Sequence, residues 1–498
     1  MKSIILIFLV VFPCLLNAQL VNDFRVNTDT ALSIPKYFAK ISSNNKGTYV
    51  VVWDETGISK ANVFAQIFNN DFSRVGNNFL VNTIPNLSEG GKVSVRKDGS
   101  FGIAWLDGSY IPYRGRIFFR VYSPLGIPIS TEVLINDTLK SYNPRFNVGT
   151  DEQNRFIITF DNPINNVSRP DIFLQIVDSN GIKVGNNVKV NQYSSLGRPA
   201  LGVQKNGGFL IAWEGYNTPV PRYDLFCQMY SANGTPIGNN KQVNDLEFDI
   251  DTLNNQDFCD IAVDSSGNFV IAFSETPYST GVDRIRYQRF NNSGSKIGSN
   301  KTVGLFESVY ISSDEVGNLI FLLSYSGSSI SYIYNLRIDK NDNFIGSYFA
   351  VSTQSPNSSK GGSDVLLIDK KIVNVWRDLR LSNQPQIFLN VRSYLNPDSV
   401  VSVNNISMDI PSKYSLSQNY PNPFNPSTII RFQLPVISNV LLKVYDAMGR
   451  EIQTLVNGNL NAGNYSVEFN GAGLSSGIYF YSIEAGKFID VKPLVLLK

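Results

Sequence analysis

The sequence predicts an all-β protein: a seven-bladed β-propeller followed by a small immunoglobulin-like β-sandwich. Three observations predict it. The 498 residues are rich in Tyr, Phe and β-branched side chains and carry 37 Gly and 23 Pro, a composition that favours strands and turns. Seven apolar anchors, Trp53, Trp105, Phe160, Trp213, Phe273, Leu323 and Trp376, recur at intervals of 50 to 60 residues, which is the mark of a repeat array. Beyond residue 396 the repeat stops, and from residue 413 short strands follow one another between Gly and Pro turns, as in a sandwich.

The elements follow in order. Residues 1–18 have a basic start at Lys2, an apolar run from Ile4 to Leu16 and a small residue, Ala18, at the expected cut. This pattern predicts a secretory signal peptide, too short to span a bilayer. Cys14 sits in that leader behind Pro13, a poor context for lipidation. No later apolar run is long enough to span a membrane, so no transmembrane segment is expected.

Residues 19–396 hold the seven units. Each reads as four short strands. A first strand such as "KVSV" (92–95) meets a turn such as Asp98-Gly99, a strong hairpin signal. The nearly all-apolar anchor strand follows, and its lack of alternation fits a sheet covered on both faces. A loop of variable length leads to an alternating third strand, as at 63–68. A turn with paired glycines comes next, often as "GNN" (76–78, 185–187, 238–240), and the unit ends on "VN", as at Val81-Asn82. Four-stranded units in this number suit a propeller. The seventh unit shows three strands and stops near Tyr394, while "FRVNT" (24–28) is a spare "VN" strand at the other end. The spare strand is expected to complete the seventh unit and close the ring, removing two exposed sheet edges. Trp376, Asp378 and Arg380 match the "W-x-D-x-R" half of a pattern found in exported bacterial propellers, which residues 20–396 loosely resemble.

The composition excludes several chemistries. Histidine is absent, so Ser-His-Asp triads and His-ligated zinc are ruled out. A net charge of +2 with no basic run argues against nucleic-acid binding. No phosphate loop, true Asp box or spaced metal-ligand motif occurs, and neither a cofactor nor a metal is expected. An acidic residue follows the anchor in six units: Asp54, Asp107, Asp161, Glu214, Glu275 and Asp378. These read either as a ring of carboxylates for chemistry or as local acceptors for loop N–H groups, and repetition in almost every unit favours the local role. Gln66, Gln175, Gln228 and Gln288, with Asn335 and Asn390, are expected to bond blade to blade or blade to loop. Cys227 and Cys259 are expected to be separate thiols.

The loops after the anchors differ most between units. They and their flanks carry Tyr110, Tyr113, Arg114, Tyr216, Arg222, Tyr223, Tyr278 and Arg284. Tyr and Arg on one face suit a glycan or protein ligand, with no turnover. The competing reading is a carboxylate-dependent extracellular glycan hydrolase or lyase.

Residues 397–412 read as a linker. Then "NYPNPFNPSTII" (419–430) places three prolines before a β-branched run, a stiff entrance to a strand. Asn419, Pro421, Pro423, Phe424, Asn425 and Pro426, the turn residues Asp446, Gly449 and Arg450, and Gly477 and Tyr479 form one pattern across 413–498. This segment resembles the type A C-terminal sorting domain of the type IX secretion system of Bacteroidetes and related bacteria. The resemblance implies a small sandwich recognised by an outer-membrane export machine, and hence a protein that is secreted or attached to the cell surface by way of the periplasm.

Overall fold

A computed structural model describes residues 19–497 apart from 29–33, 58–60, 84–87, 108–114, 138–143, 163–169, 217–222, 246–254, 277–282, 327–330, 353–358, 395–402, 408–410 and scattered single or paired positions. The signal peptide and Cys14 lie outside the described residues. Every regular element described is a strand, and the strands form nine four-stranded antiparallel sheets.

Seven sheets lie between residues 19 and 394. Their first strands are Lys36–Ser43, Ser88–Val95, Phe146–Thr150, Ser195–Val203, Asn255–Val263, Ser308–Ser313 and Lys360–Ile368. Each first strand contacts the next in chain order, and the last contacts the first, so the first strands line a closed ring. The anchor strands stand second. Trp53, Trp105, Phe160, Trp213, Phe273, Leu323 and Trp376 are all buried. They pack in clusters that span neighbouring sheets, as Trp53 does with Val375 and Leu389. Both faces of each sheet are thereby covered, which is why the anchor strands are apolar without alternation.

The ring closes where the spare strand was expected, and the strand is longer than "FRVNT". Gln19–Arg25 pairs with Gln386–Ser393, Phe24 lying opposite Leu389 and Arg25 opposite Phe388. Val26 N–H continues the ladder to Ile387 C=O (2.7 Å). Asn27 Oδ1 accepts the Ile387 N–H (3.2 Å). The Asn of each "VN" does the same elsewhere: Asn82 for Val63, Asn191 for Ile172 and Asn244 for Leu225, each at 2.8–2.9 Å. Val26-Asn27 is therefore the "VN" of the seventh sheet.

The remaining motif residues form a repeated latch. Gln175 Nε2 donates to the carbonyls of Ile176 (2.9 Å) and Val184 (3.1 Å), filling the bulge that interrupts the ladder between Leu174 and Ile176. Its Oε1 accepts from Asn187 Nδ2 (2.6 Å), the last residue of "GNN". Asn187 also crosses to the preceding sheet, donating to Ile135 C=O (2.9 Å) and accepting the Asp137 N–H (2.8 Å). The same set recurs at Gln66–Asn78, Gln228–Asn240 and Gln288–Asn300. The glutamines thus bond within their own sheet, and the asparagine carries the bond between sheets. At the closure Asn390 and Asp23 replace this pair, with Asn390 Nδ2 donating to Asp23 Oδ1 (2.9 Å). Asn335 instead donates to Asn374 Oδ1 (2.9 Å) in the next sheet.

The two last sheets, from Val403 onward, share one buried cluster that includes Ile430, Phe432, Leu442, Val467, Tyr481 and Leu494. The expected linker contains one strand, Val403–Ser407, which pairs with Gly463–Asn470. The proline stretch is held on both sides. Asn419 N–H donates to the Tyr481 hydroxyl (2.9 Å), and Asn419 Nδ2 donates to Thr428 Oγ1 (2.9 Å). Phe424 is buried, and its N–H bonds Val495 C=O (2.9 Å) in the final strand. The Asp446–Arg450 turn is tight: Asp446 Oδ1 accepts from Met448 and Arg450 N–H, and Gly449 takes φ +77°, which glycine adopts without strain.

Candidate functional site

The six carboxylates after the anchors are buried and occupied locally. Asp54 accepts backbone N–H bonds from Gly90 (2.6 Å) and Gly91 (3.2 Å) of the next sheet. Asp161 accepts from Arg145 (2.8 Å) and Arg198 (3.1 Å). Burial pushes both carboxyls up to about 7, and these N–H bonds only partly offset it. Asp107 pairs with Arg116 (3.3 Å), Glu214 with Arg198 (3.2 Å), and Glu275 with Arg286 (3.3 Å). Asp378 accepts from Trp376 Nε1 (3.1 Å) and Arg380 Nε (2.8 Å). The local reading of this row therefore holds: each acid ties its strand end to a loop, a neighbouring sheet or an arginine.

The expected ligand-binding residues fall mostly where the structure is silent. Tyr110, Tyr113, Arg114, Arg222 and Tyr278 lie outside the described residues. Tyr216 and Tyr223 are backbone partners at the loop end of the second and third strands of the fourth sheet. Arg284 is described, and its guanidinium is bound to Glu275 (2.5 Å). Cys227 and Cys259 are free thiols; burial pushes Cys227 up to about 12 and holds Cys259 well above its ordinary value. Neither is poised as a nucleophile.

Strand register reveals a second set of residues that the repeat pattern had hidden. The residue just before each anchor pairs with one residue on the ring-lining strand. Round the ring these are Lys40, Lys92, Asn147, Ala200, Asp260, Tyr310 and Asp364. In five sheets a register shift lies within the residues just ahead of this position. Such bulges re-aim side chains. All but Ala200 are half-buried.

The ring is not symmetric. Lys40 Nζ lies 3.6 Å from Asp364 and 4.0 Å above the Tyr310 ring. Asp364 Oδ2 also accepts the Ile41 N–H, and Asp260 Oδ2 the Ile311 N–H, each at 3.0 Å from the next sheet. Burial opposes the charge on Lys40, but Asp364, Tyr310 and Asp260 outweigh it and its ammonium sits above the usual range. Burial, reinforced by Lys40, drives Lys92 down to about 7. Burial lifts Asp260 to about 6 against the pull of Lys40. The ring thus sets a firmly charged ammonium, Lys40, beside one amine and one carboxyl, Lys92 and Asp260, that burial shifts toward neutral pH. The missed signal was positional: these residues stand at a near-fixed distance ahead of each anchor, but only their differences identify them.

Comparison with known proteins assigns the C-terminal end. Residues 418–496 match the Secretion system C-terminal sorting domain. This is a type IX sorting domain. It directs the chain through the type IX machinery to the outer membrane or cell surface. Among the described residues no helix is long and apolar enough to cross a membrane. A search of curated proteins gave no match. Among solved structures, an ulvan lyase of polysaccharide lyase family PL25 is 12% identical over 76% of this chain and 96% of its own, with a TM-score of 0.45. The β-propeller domain of the Trilobed protease from Pyrococcus furiosus is 9% identical over 73% and 97%, with a TM-score of 0.42. An α-L-arabinanase of Penicillium chrysogenum is 10% identical over 61% and 93%, with a TM-score of 0.41. At these identities none of those activities transfers to this chain.

Proposed function

We propose that this chain is an exported seven-bladed β-propeller, joined to an immunoglobulin-like β-sandwich that carries the sorting signal, and that the propeller binds a glycan or protein at the cell surface without turning it over. The signal peptide at 1–18 starts the route and the sandwich completes it. The observation that carries the binding reading is the occupation of the post-anchor carboxylates. The acids that repeat on the loop face are all committed to backbone N–H groups or arginines, which leaves the variable loops as the part free to differ between ligands. Tyr216, Arg222 and Tyr223 in the fourth unit, with Tyr110, Tyr113 and Arg114 in the second and Tyr278 and Arg284 in the fifth, supply aromatic faces and guanidinium donors of the type that anchors recognition.

A second reading is favoured by the asymmetric ring. Catalysis needs an acid and a base in unlike environments, and Asp260 and Lys92 occupy such environments at one level of the ring. A carboxylate-dependent hydrolase or lyase centred there remains the competing function. The test is a glycan-array screen of the full chain. Binding weakened by Tyr216→Ala or Arg222→Ala supports loop-face recognition; binding unchanged in both contradicts it.

A further inference from the structure

One half of the inner ring is bonded within itself and the other half is open. Lys40, Tyr310, Asp364 and Asp260 interact with one another or with backbone N–H groups of the next sheet. Lys92 and Asn147 occupy the same level on adjacent ring-lining strands, which contact each other. Among the described residues, neither the Lys92 ammonium nor the Asn147 amide has a hydrogen-bond partner, and both side chains are half-buried. The next position is Ala200, whose methyl is buried in the core and adds nothing polar. A half-buried ammonium and amide without partners are open to a ligand, and one of matching charge offsets the desolvation that burial imposes on Lys92.

We infer that the Lys92–Asn147 side of the inner ring is a binding site for a small hydroxylated carboxylate, with the ammonium on the carboxylate and the amide on a hydroxyl. The sign of the charge decides the class. The two ring acids act on Lys92 but are already held by Lys40 and by backbone N–H groups, so a cationic ligand would meet the Lys92 charge with no free acid to bind it. A neutral sugar would use the amide but leave the ammonium desolvated. A carboxylate satisfies it through a charge-assisted bond, the strong kind. The charge of the site also follows from its neighbours: burial and Lys40 lower Lys92 to about 7 against the pull of Asp364, Asp260 and Asp54, so below neutral pH it stands as an ammonium. This inference is independent of the loop-face reading, because none of its residues lies in those loops.

The experiment is calorimetric titration of the full chain with D-glucuronate, D-glucose and acetate. Glucuronate is expected to bind at least about tenfold tighter than glucose, the worth of one charge-assisted bond. Lys92→Met should abolish that preference while leaving the unfolding transition intact, since it removes a desolvated charge and keeps the apolar stem. Asn147→Ala should weaken glucuronate several-fold and leave acetate nearly unchanged. Raising the pH from about 6 to about 8 should weaken glucuronate about tenfold as Lys92 loses its proton, a dependence absent in Lys92→Met. Tyr216→Ala should change none of these values, which separates this site from the loop face. Equal binding of glucuronate and glucose, no detectable glucuronate binding at millimolar concentration, or a preference that survives in Lys92→Met would each overturn the inference.

Discussion

Asp23→Ala tests the closure of the ring. Asp23 lies in the N-terminal strand, and its side chain is 1% exposed. Its Oδ2 receives Arg380 Nη1 (3.0 Å) from the seventh unit, and its Oδ1 receives the Asn390 amide (2.9 Å). Ser352 Oγ donates to it as well. Truncating one partner of a buried ion pair costs about 3–5 kcal/mol, mostly through the charge left behind. Arg380 keeps Asp378, so the expected loss is at the lower end, about 3 kcal/mol. All four tryptophans are anchors of the repeats, so their fluorescence during denaturant unfolding reports this module alone. Glu152→Ala is the control. Its pair with Lys97 spans 4.0 Å and both partners are well exposed, so it should cost under about 1 kcal/mol. A loss below about 1 kcal/mol in Asp23→Ala would refute the argument that the N-terminal strand is the element that locks the ring.

Three further outcomes follow from the same geometry. Asn187→Ala should destabilise the same transition by about 1–3 kcal/mol, because it leaves Gln175 Oε1 and the Asp137 N–H unpaired; an unchanged midpoint would make the latch incidental. Asp54 and Asp161 sit at about 7 when folded, against 3.8 when unfolded. In that interval the folded chain holds protons the unfolded chain has lost, so their contribution is full below 3.8 and disappears as pH rises through about 7. Stability should therefore fall from about pH 5 to about pH 8, less steeply in Asp54→Asn, and an identical slope in that variant would contradict the assignment. Truncation at residue 412 should stop surface delivery in fractionated cells; a truncated chain that reaches the surface as well as the full chain would remove the sorting role.

Much of the fold was legible because repetition makes local signals add. The anchors, the "GNN" turn and the "VN" strand each recur, and each does one job in every sheet that has it. The closing strand was legible for the same reason: Val26-Asn27 is a copy of a motif whose partner strand was missing. Its true extent was not, because Gln19–Phe24 carries no repeat motif and pairs with shifts at Val21 and Phe24. The bonding of the row acids was foreseen as local, but their partners were not, since Gly90 and Gly91 belong to another unit. The inner ring escaped notice for the opposite reason. Lys40, Lys92, Asn147, Ala200, Asp260, Tyr310 and Asp364 share a position and nothing else, and aligning units by likeness discards such a column. Units alike at the anchors are therefore unlike at this column.

Binding without turnover is most directly tested by recovering the ligand. Each glycan or protein that binds the full chain should be incubated with it over many hours, at pH values on both sides of neutrality, and analysed by mass spectrometry. The account predicts that every ligand is recovered intact, with no new reducing end, unsaturated sugar or cleaved peptide. Product that accumulates with the full chain and disappears in folded Asp260→Asn or Glu275→Gln would contradict it and make this propeller an enzyme.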